Sequence, residues 1–174
     1  MAKPVGVIDA SCVIALDALD LLPQLTVVFD RLLIPKAVRT EPYRRRVTKD
    51  RIRALLREYA FIEECDDYDQ SAVEVLMIER RAERTKDRGE AEVAVQAAEF
   101  GATAIVDEPW GRELAERYRR GYHGTLWILG RLCELELLTP ANLRRHLQQL
   151  LKRGIRLPPD AVNELLQRFG ERII

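Results

Sequence analysis

Apolar residues in this chain fall into short unbroken runs that alternate with stretches of helical spacing. Val5–Asp9 is such a run and ends in an acid, and a helical pattern from Cys12 to Leu22 follows it. Leu32–Ile34 is a second run, stopped by Pro35, which is well placed to open a helix from Lys36 to about Arg46. A second, very basic helix is predicted over Asp50–Tyr59, and Phe61–Glu63 can form a third strand. Asp69 or Ser71 can cap a helix running to about Arg84, and a charged turn, Thr85–Gly89, comes next. In Glu90–Phe100 the positions Ala91, Val93, Ala94, Ala97 and Ala98 share one helical face, and Gly101 suits the residue just past its end. Ala102–Val106 reads as a fourth strand ending in Asp107, before a helix over Arg112–Arg120. Gly121–Gly124 allows a turn or a short strand, and Thr125–Leu138 is a strongly apolar helix. Thr139 and Pro140 open a helix to about Lys152, and Pro158 or Pro159 opens the last.

Short strands alternating with helices of ten to fifteen residues indicate βαβ units. The expected fold class is therefore three-layer α/β/α with a central parallel sheet. No repeat or linker divides the chain, so residues 1–174 are expected to form one domain, with 140–174 a helical C-terminal extension packed on it.

Composition narrows the class without changing that picture. The 174 residues are 47% hydrophobic and 32% charged, which excludes a disordered or low-complexity chain. No run reaches the ~18 apolar residues of a membrane span. Cys12, Cys65 and Cys133 are odd in number and far apart, and no CxxC or HxxxH spacing marks a zinc site. Reduced thiols and the absence of a charged-then-apolar leader lead us to expect a cytoplasmic setting.

Net charge is zero, with 28 basic and 28 acidic residues, but its arrangement is uneven. Lys36–Arg57 holds nine basic residues against two acids, and Glu58–Glu83 holds nine acids against two arginines. A +7 block thus stands directly before a −7 block. Arginine supplies 23 of the 28 basic residues, and its planar fork suits phosphates and stacked bases. Arg44, Arg45 and Arg46 can form a phosphate-contacting surface; equally, the block can be a solvated face paired with the acids behind it.

The candidate chemistry lies in carboxylates. In open α/β sheets ligands bind beyond the carboxyl ends of the strands, and Asp9 and Asp107 end the first and fourth strand-like runs. Glu41 lies a turn or two into the helix after the second, and Glu90 begins the helix before the fourth. Right-handed crossovers can bring all four to one rim. Two unit charges about 4 Å apart repel by roughly 4 kcal/mol at an effective dielectric near 20, so such a cluster calls for a cation. Oxygen-only ligands favour Mg²⁺ or Mn²⁺, a site suited to phosphodiester hydrolysis. Taken singly, Asp9 or Asp107 can equally be a turn or cap residue, and Glu41 or Glu90 a helix-surface acid.

Four segments carry a resemblance. VGVIDASCVIAL resembles the opening of PIN-domain nucleases, where a strand ends in Asp followed by a small residue and Ser. LLIPKAVRTE is similar to that family's second motif, and DRGEAEVAVQAAEFGATAIVDE to its third and fourth. The stretch from YHGTLWILG to GIRLPPDAVNELL looks like the C-terminal part of a branch that includes VapC-like toxins. The resemblance implies a PIN-like fold and an endoribonuclease that leaves a 3′-hydroxyl and a 5′-phosphate. It further implies an antitoxin partner and a homodimer. Carried over by motif, the metal-binding acids fall on Asp9, Glu41, Glu90 and Asp107, with Ser11 supporting Asp9 or a coordinated water. Glu92 is a weaker substitute for Glu90.

One departure concerns the fourth motif, which here reads Asp107-Glu108-Pro109-Trp110-Gly111-Arg112. Glu108 stands where the branch carries a second Asp, and Arg112 matches its expected Arg. Pro109 and Trp110 alter the rim, which motivates an alternative in which the domain binds RNA or a protein without cutting. A phosphatase of the haloacid-dehalogenase type is set aside, because it needs a second Asp where Ser11 stands. His123, in a glycine turn, reads as structural, and Trp127 as core or dimer interface.

Overall fold

The computed structural model describes residues 2–40, 47–80 and 85–174, with backbone only at 47–49 and 85–86. β1 (Gly6–Ile8) leads through α1 (Ala10–Asp17) and the single turn α2 (Leu25–Val28) to β2 (Leu32–Ile34). After α3 (Lys36–Thr40) and α4 (Val47–Glu58) come β3 (Ile62–Glu64), α5 (Gln70–Arg80) and α6 (Thr85–Glu99). β4 (Thr103–Ile105), α7 (Pro109–Arg117) and β5 (Tyr122–His123) precede α8 (Thr125–Glu134), α9 (Pro140–Lys152) and α10 (Pro159–Arg168).

The five strands form one all-parallel sheet in the order β3-β2-β1-β4-β5, with helices packed against it in the expected three-layer α/β/α arrangement. The connections from β1 run toward β2 on one side, and the chain later crosses to β4 on the other. The crevice between the carboxyl ends of β1 and β4 is therefore the topological switch point, where ligands bind in such sheets. β1 and β4 are buried along nearly their whole length because parallel strands are covered on both faces.

The main core joins the sheet to α1 and to α8–α10 through Leu16, Leu25, Ile105, Leu129, Leu143, Leu147 and Leu166. A smaller cluster, built on Val73, Leu76, Ala94 and Leu114, fills the space between α5, α6 and α7. Helix α6 lies between β1, β4, α3, α5 and α7 and is buried along most of 90–97. Its alanines leave room for so many neighbours, and the same enclosure buries Glu90, Glu92 and Gln96.

The charged stretch Thr85–Gly89 is the first turn of α6 rather than the expected turn. Nothing in its own periodicity marks it as helical; continuity with the enclosed segment behind it does. The pattern over Cys12–Leu22 is likewise cut short: α1 ends at Asp17, and Asp20 takes a left-handed backbone with φ 56°. Gly101, at φ 61°, stands where the left-handed residue after a helix was expected. Among the described residues no helix is long and apolar enough to cross a membrane.

Candidate active site at the β1–β4 switch point

Asp9 follows directly on β1 and caps α1 in an extended backbone conformation, with φ −79° and ψ 156°. Its Oδ2 accepts from the Ser11 amide at 3.2 Å and the Ser11 hydroxyl at 2.6 Å, and its own amide donates to Ile105 O of β4 at 3.0 Å. Ser11 thus holds one carboxylate oxygen of Asp9 by two bonds. Asp9 is only 5% exposed. Burial pushes its pKa above the usual carboxylate value despite the Ser11 bonds, and the Asp107 charge adds to the rise.

Asp107, at the end of β4, is held from three directions. Its Oδ1 accepts the Thr125 amide at 2.8 Å, and its Oδ2 accepts the Thr125 hydroxyl at 2.5 Å and the Cys12 thiol at 3.3 Å. The amide belongs to the first turn of α8, where free N–H groups and the helix dipole favour an anion. Burial, then the charges of Asp107 and Asp9, push the Cys12 thiol well up, so it stays a neutral S–H donor. Gly124 must lack a side chain here: a Cβ would lie 2.4 Å from Asp107 Oδ1 and 2.9 Å from Arg112 Nη2. Arg112 stands 3.8 Å from Asp107 and over the Tyr122 ring at 5.9 Å, with 37% of its side chain exposed.

Glu90 is 6% exposed, and its Oε2 is buried without a hydrogen-bond partner. Its pKa is pushed up to about 8, chiefly by burial and then by the charges of Asp9, Glu108 and Asp87. The Gly111 backbone amide opposes that rise only in part, and a buried acid with a bare oxygen among other acids is expensive to keep ionised. A hard divalent cation would relieve both the desolvation and the repulsion, and an all-oxygen donor set is the kind such ions accept. Asp9, Glu90 and Asp107 alone do not close such a set: among the described residues no three His, Cys, Asp or Glu side chains are placed to hold an ion. Glu41, Arg44, Arg45 and Arg46 lie outside the described residues.

Glu108 is exposed at the start of α7 and makes no side-chain cap bond, and it acts on Glu90 through charge. Trp110 packs on the α5–α7 cluster, with the Arg80 guanidinium 5.0 Å over its ring. Pro109 occupies the first helical position, where its missing N–H costs nothing. The departure from the fourth motif is thus accommodated as packing. His123, in β5, stacks on the half-exposed Trp127 with ring centroids 3.4 Å apart, and burial lowers the His123 pKa.

The described part of the basic block is substantially paired. Arg39 binds Glu64 and Asp66 of the acidic block, and Arg51 makes two bonds to Asp17 and one to Glu58. Sequence patterns had assigned no role in the site to three residues that form it: Cys12, Gly124 and Thr125. Cys12 sits three residues after Asp9, one helical turn on, and the Gly-Thr pair stands at a helix start, which is the signal that could have found them.

A family model described as "DUF3368: PIN domain" matches residues 5–171. Among solved structures, the chain is similar to PAE2754 from Pyrobaculum aerophilum, at 20% sequence identity and a TM-score of 0.51. That likeness covers 77% of this chain and 99% of the other. No curated protein matches the chain.

Proposed function

The chain belongs to the PIN-domain family, and on that premise we propose that it is a divalent-metal-dependent endoribonuclease of the VapC-like toxin kind. The observation that carries the reading is the buried, unpartnered carboxylate oxygen of Glu90, set among Asp9, Asp87 and Glu108 beside the switch point of the sheet. Asp9, Glu41, Glu90 and Asp107 would hold Mg²⁺ or Mn²⁺, with Glu108 at the rim. When bound, the ion supplies Lewis-acid polarisation of the phosphodiester and activation of water.

The remaining chemistry belongs to the chain itself. Ser11 binds one oxygen of Asp9, so the other keeps a defined direction. Asp107 is held at both oxygens, Oδ1 by the Thr125 amide and Oδ2 by the Thr125 hydroxyl and the Cys12 thiol, and a carboxylate fixed in this way needs little reorganisation when charge develops. Arg112, partly exposed beside Asp107 with its Nε donating to Val106 O at 3.4 Å, would take a substrate phosphate through its terminal nitrogens. Without a cation Glu90 holds a proton at neutral pH, which spares the site an uncompensated buried charge. The packing of Trp110 on α5 accounts for the changed fourth motif without loss of an acid. RNA as substrate, an antitoxin partner, a homodimer and a cytoplasmic setting form part of the same proposal.

The deciding experiment is single-stranded RNA cleavage with and without Mn²⁺ by wild type and Asp9→Asn. The reading requires metal-dependent cleavage that drops at least 100-fold in the variant. Equal cleavage by both would refute the site assignment.

A further inference from the structure

Trp127 projects from the first turn of α8 and is not absorbed by the core. It stays 38% exposed and belongs to neither apolar cluster among the described residues. The indole is held all the same: the His123 imidazole stacks on it with centroids 3.4 Å apart and planes 5° from parallel. Helical side chains lean back toward the N-terminus of their helix, which carries this indole over Gly124 and the end of β5. With one face under the imidazole, the exposed surface of Trp127 belongs to the other face and the ring edge.

The stacked pair stands beside the carboxylate site. His123 ends β5, its carbonyl accepts the Val106 amide at 2.8 Å, and Asp107 is the next residue along. Gly124 makes the close approach to Asp107 Oδ1, and Thr125 binds both Asp107 oxygens. β5 is an edge strand, so no further strand covers its outer side. Strand alternation turns Tyr122 and His123 to opposite faces of the sheet. Arg112 lies over the Tyr122 ring and Trp127 over His123, so a part-exposed cation and a flat aromatic flank the end of β5.

A cation for the phosphate and an aromatic surface for the base are the two parts that bind a single nucleic-acid strand. A second copy of the chain would need a wider apolar patch around the ring. Further along α8, Arg131 and Glu134 are charged and paired with each other instead. We propose that Trp127, backed by His123, is a nucleobase-stacking subsite for single-stranded RNA on the β5 side of Asp107. The subsite rests on the reading of the chain as a ribonuclease.

The probes are a short single-stranded RNA of mixed sequence and a strand of equal length in which abasic linkers replace every base. Binding to wild type, Trp127→Leu and Trp127→Phe is read by anisotropy in Ca²⁺ and in chelator, with gels confirming intact RNA. Loss of one stacked base predicts roughly 5- to 150-fold weaker binding of the intact strand by Trp127→Leu. The abasic strand should bind all three proteins equally, and Trp127→Phe should recover most of the loss. Tryptophan emission gives a second readout. The intact strand should quench wild-type emission and the abasic strand should not, while Trp110, packed on the α5–α7 cluster, keeps its emission in Trp127→Leu. If leucine unfolds the chain, the wild-type quenching reads the same stack.

A wild type that binds neither strand in either condition overturns the RNA reading, and the subsite with it. If the wild type binds RNA and Trp127→Leu binds it equally, or loses both strands equally, the subsite alone is overturned. Wild-type emission unchanged by bound RNA overturns the subsite as well. So does a sedimentation mass that halves in Trp127→Leu, which would give the ring to a contact between copies.

Discussion

Replacing Glu90 by Gln should stabilise the metal-free protein at neutral pH while destroying its response to Mn²⁺. The folded state keeps the Glu90 proton up to about pH 8, whereas the ordinary glutamate value is 4.5. Between those values the unfolded chain binds fewer protons than the folded one, so stability falls as pH rises. The loss begins near pH 4.5 and is complete by about pH 8. At pH 7 that linkage amounts to roughly 2–3 kcal/mol, discounted for water entering the mouth of the site. Glutamine occupies the same space and never ionises, so Glu90→Gln escapes the penalty. For a chain of this length the gain corresponds to about 5–10 °C in Tm. The assay is thermal and urea unfolding of both proteins in chelator from pH 4 to 8.5. The difference should vanish at the acid end and grow monotonically toward pH 8. With Mn²⁺ added at pH 8 the wild type should gain stability and the variant should not. Equal stabilities at pH 8, or a wild type that gains stability from pH 5 to 8 relative to the variant, would refute the reasoning.

Other outcomes follow from the same geometry. Gly124→Ala places a Cβ 2.4 Å from Asp107 Oδ1; it should cost about 1–3 kcal/mol in urea unfolding and lower RNA cleavage by roughly 100-fold. Thr125→Val removes one of the three donors to Asp107 and should destabilise by about 1–3 kcal/mol; Thr125→Ser keeps a hydroxyl and should restore cleavage, and if it does not, the Thr125–Asp107 bond is not what matters. Arg112→Gln should raise KM roughly tenfold with kcat nearly unchanged, while unfolding stability shifts by less than ~0.5 kcal/mol because its Asp107 contact is long and part-exposed. A selective loss of kcat in that variant would place Arg112 in transition-state stabilisation rather than substrate capture.

The alternation of short apolar runs with helical spacing is enough to place the first four strands and most helices to within a few residues, because both signals are local. Gly121–Gly124, by contrast, reads equally as a turn or a short strand, and only its pairing with β4 makes Tyr122–His123 the strand β5. The alternation is also enough to put Asp9 and Asp107 at strand ends, since each directly follows the last apolar residue of its run. Local periodicity could not decide helix limits that depend on enclosure. Thr85–Gly89 is helical because it leads into the buried core of α6, and α1 stops at Asp17 although the apolar pattern continues. The charge pattern showed two opposed blocks, and the structure shows what some of them do. Arg39 is neutralised by Glu64 and Asp66, whereas Arg112 stays part-exposed beside Asp107.

By itself, then, the amino-acid sequence determined the class of fold, the order of its motifs and the residue types available for chemistry, all of which are written in local patterns a few residues long. The strand order β3-β2-β1-β4-β5 is a long-range choice, and it alone makes β1 and β4 neighbours so that Asp9 and Asp107 share a rim. Motif order prefers Glu90 to Glu92, but only the tertiary structure gives a physical difference between them, since they are two carboxylates on one helix with nearly the same burial. One keeps an oxygen without a partner and the other has both bound, because the helix turns them toward different neighbours.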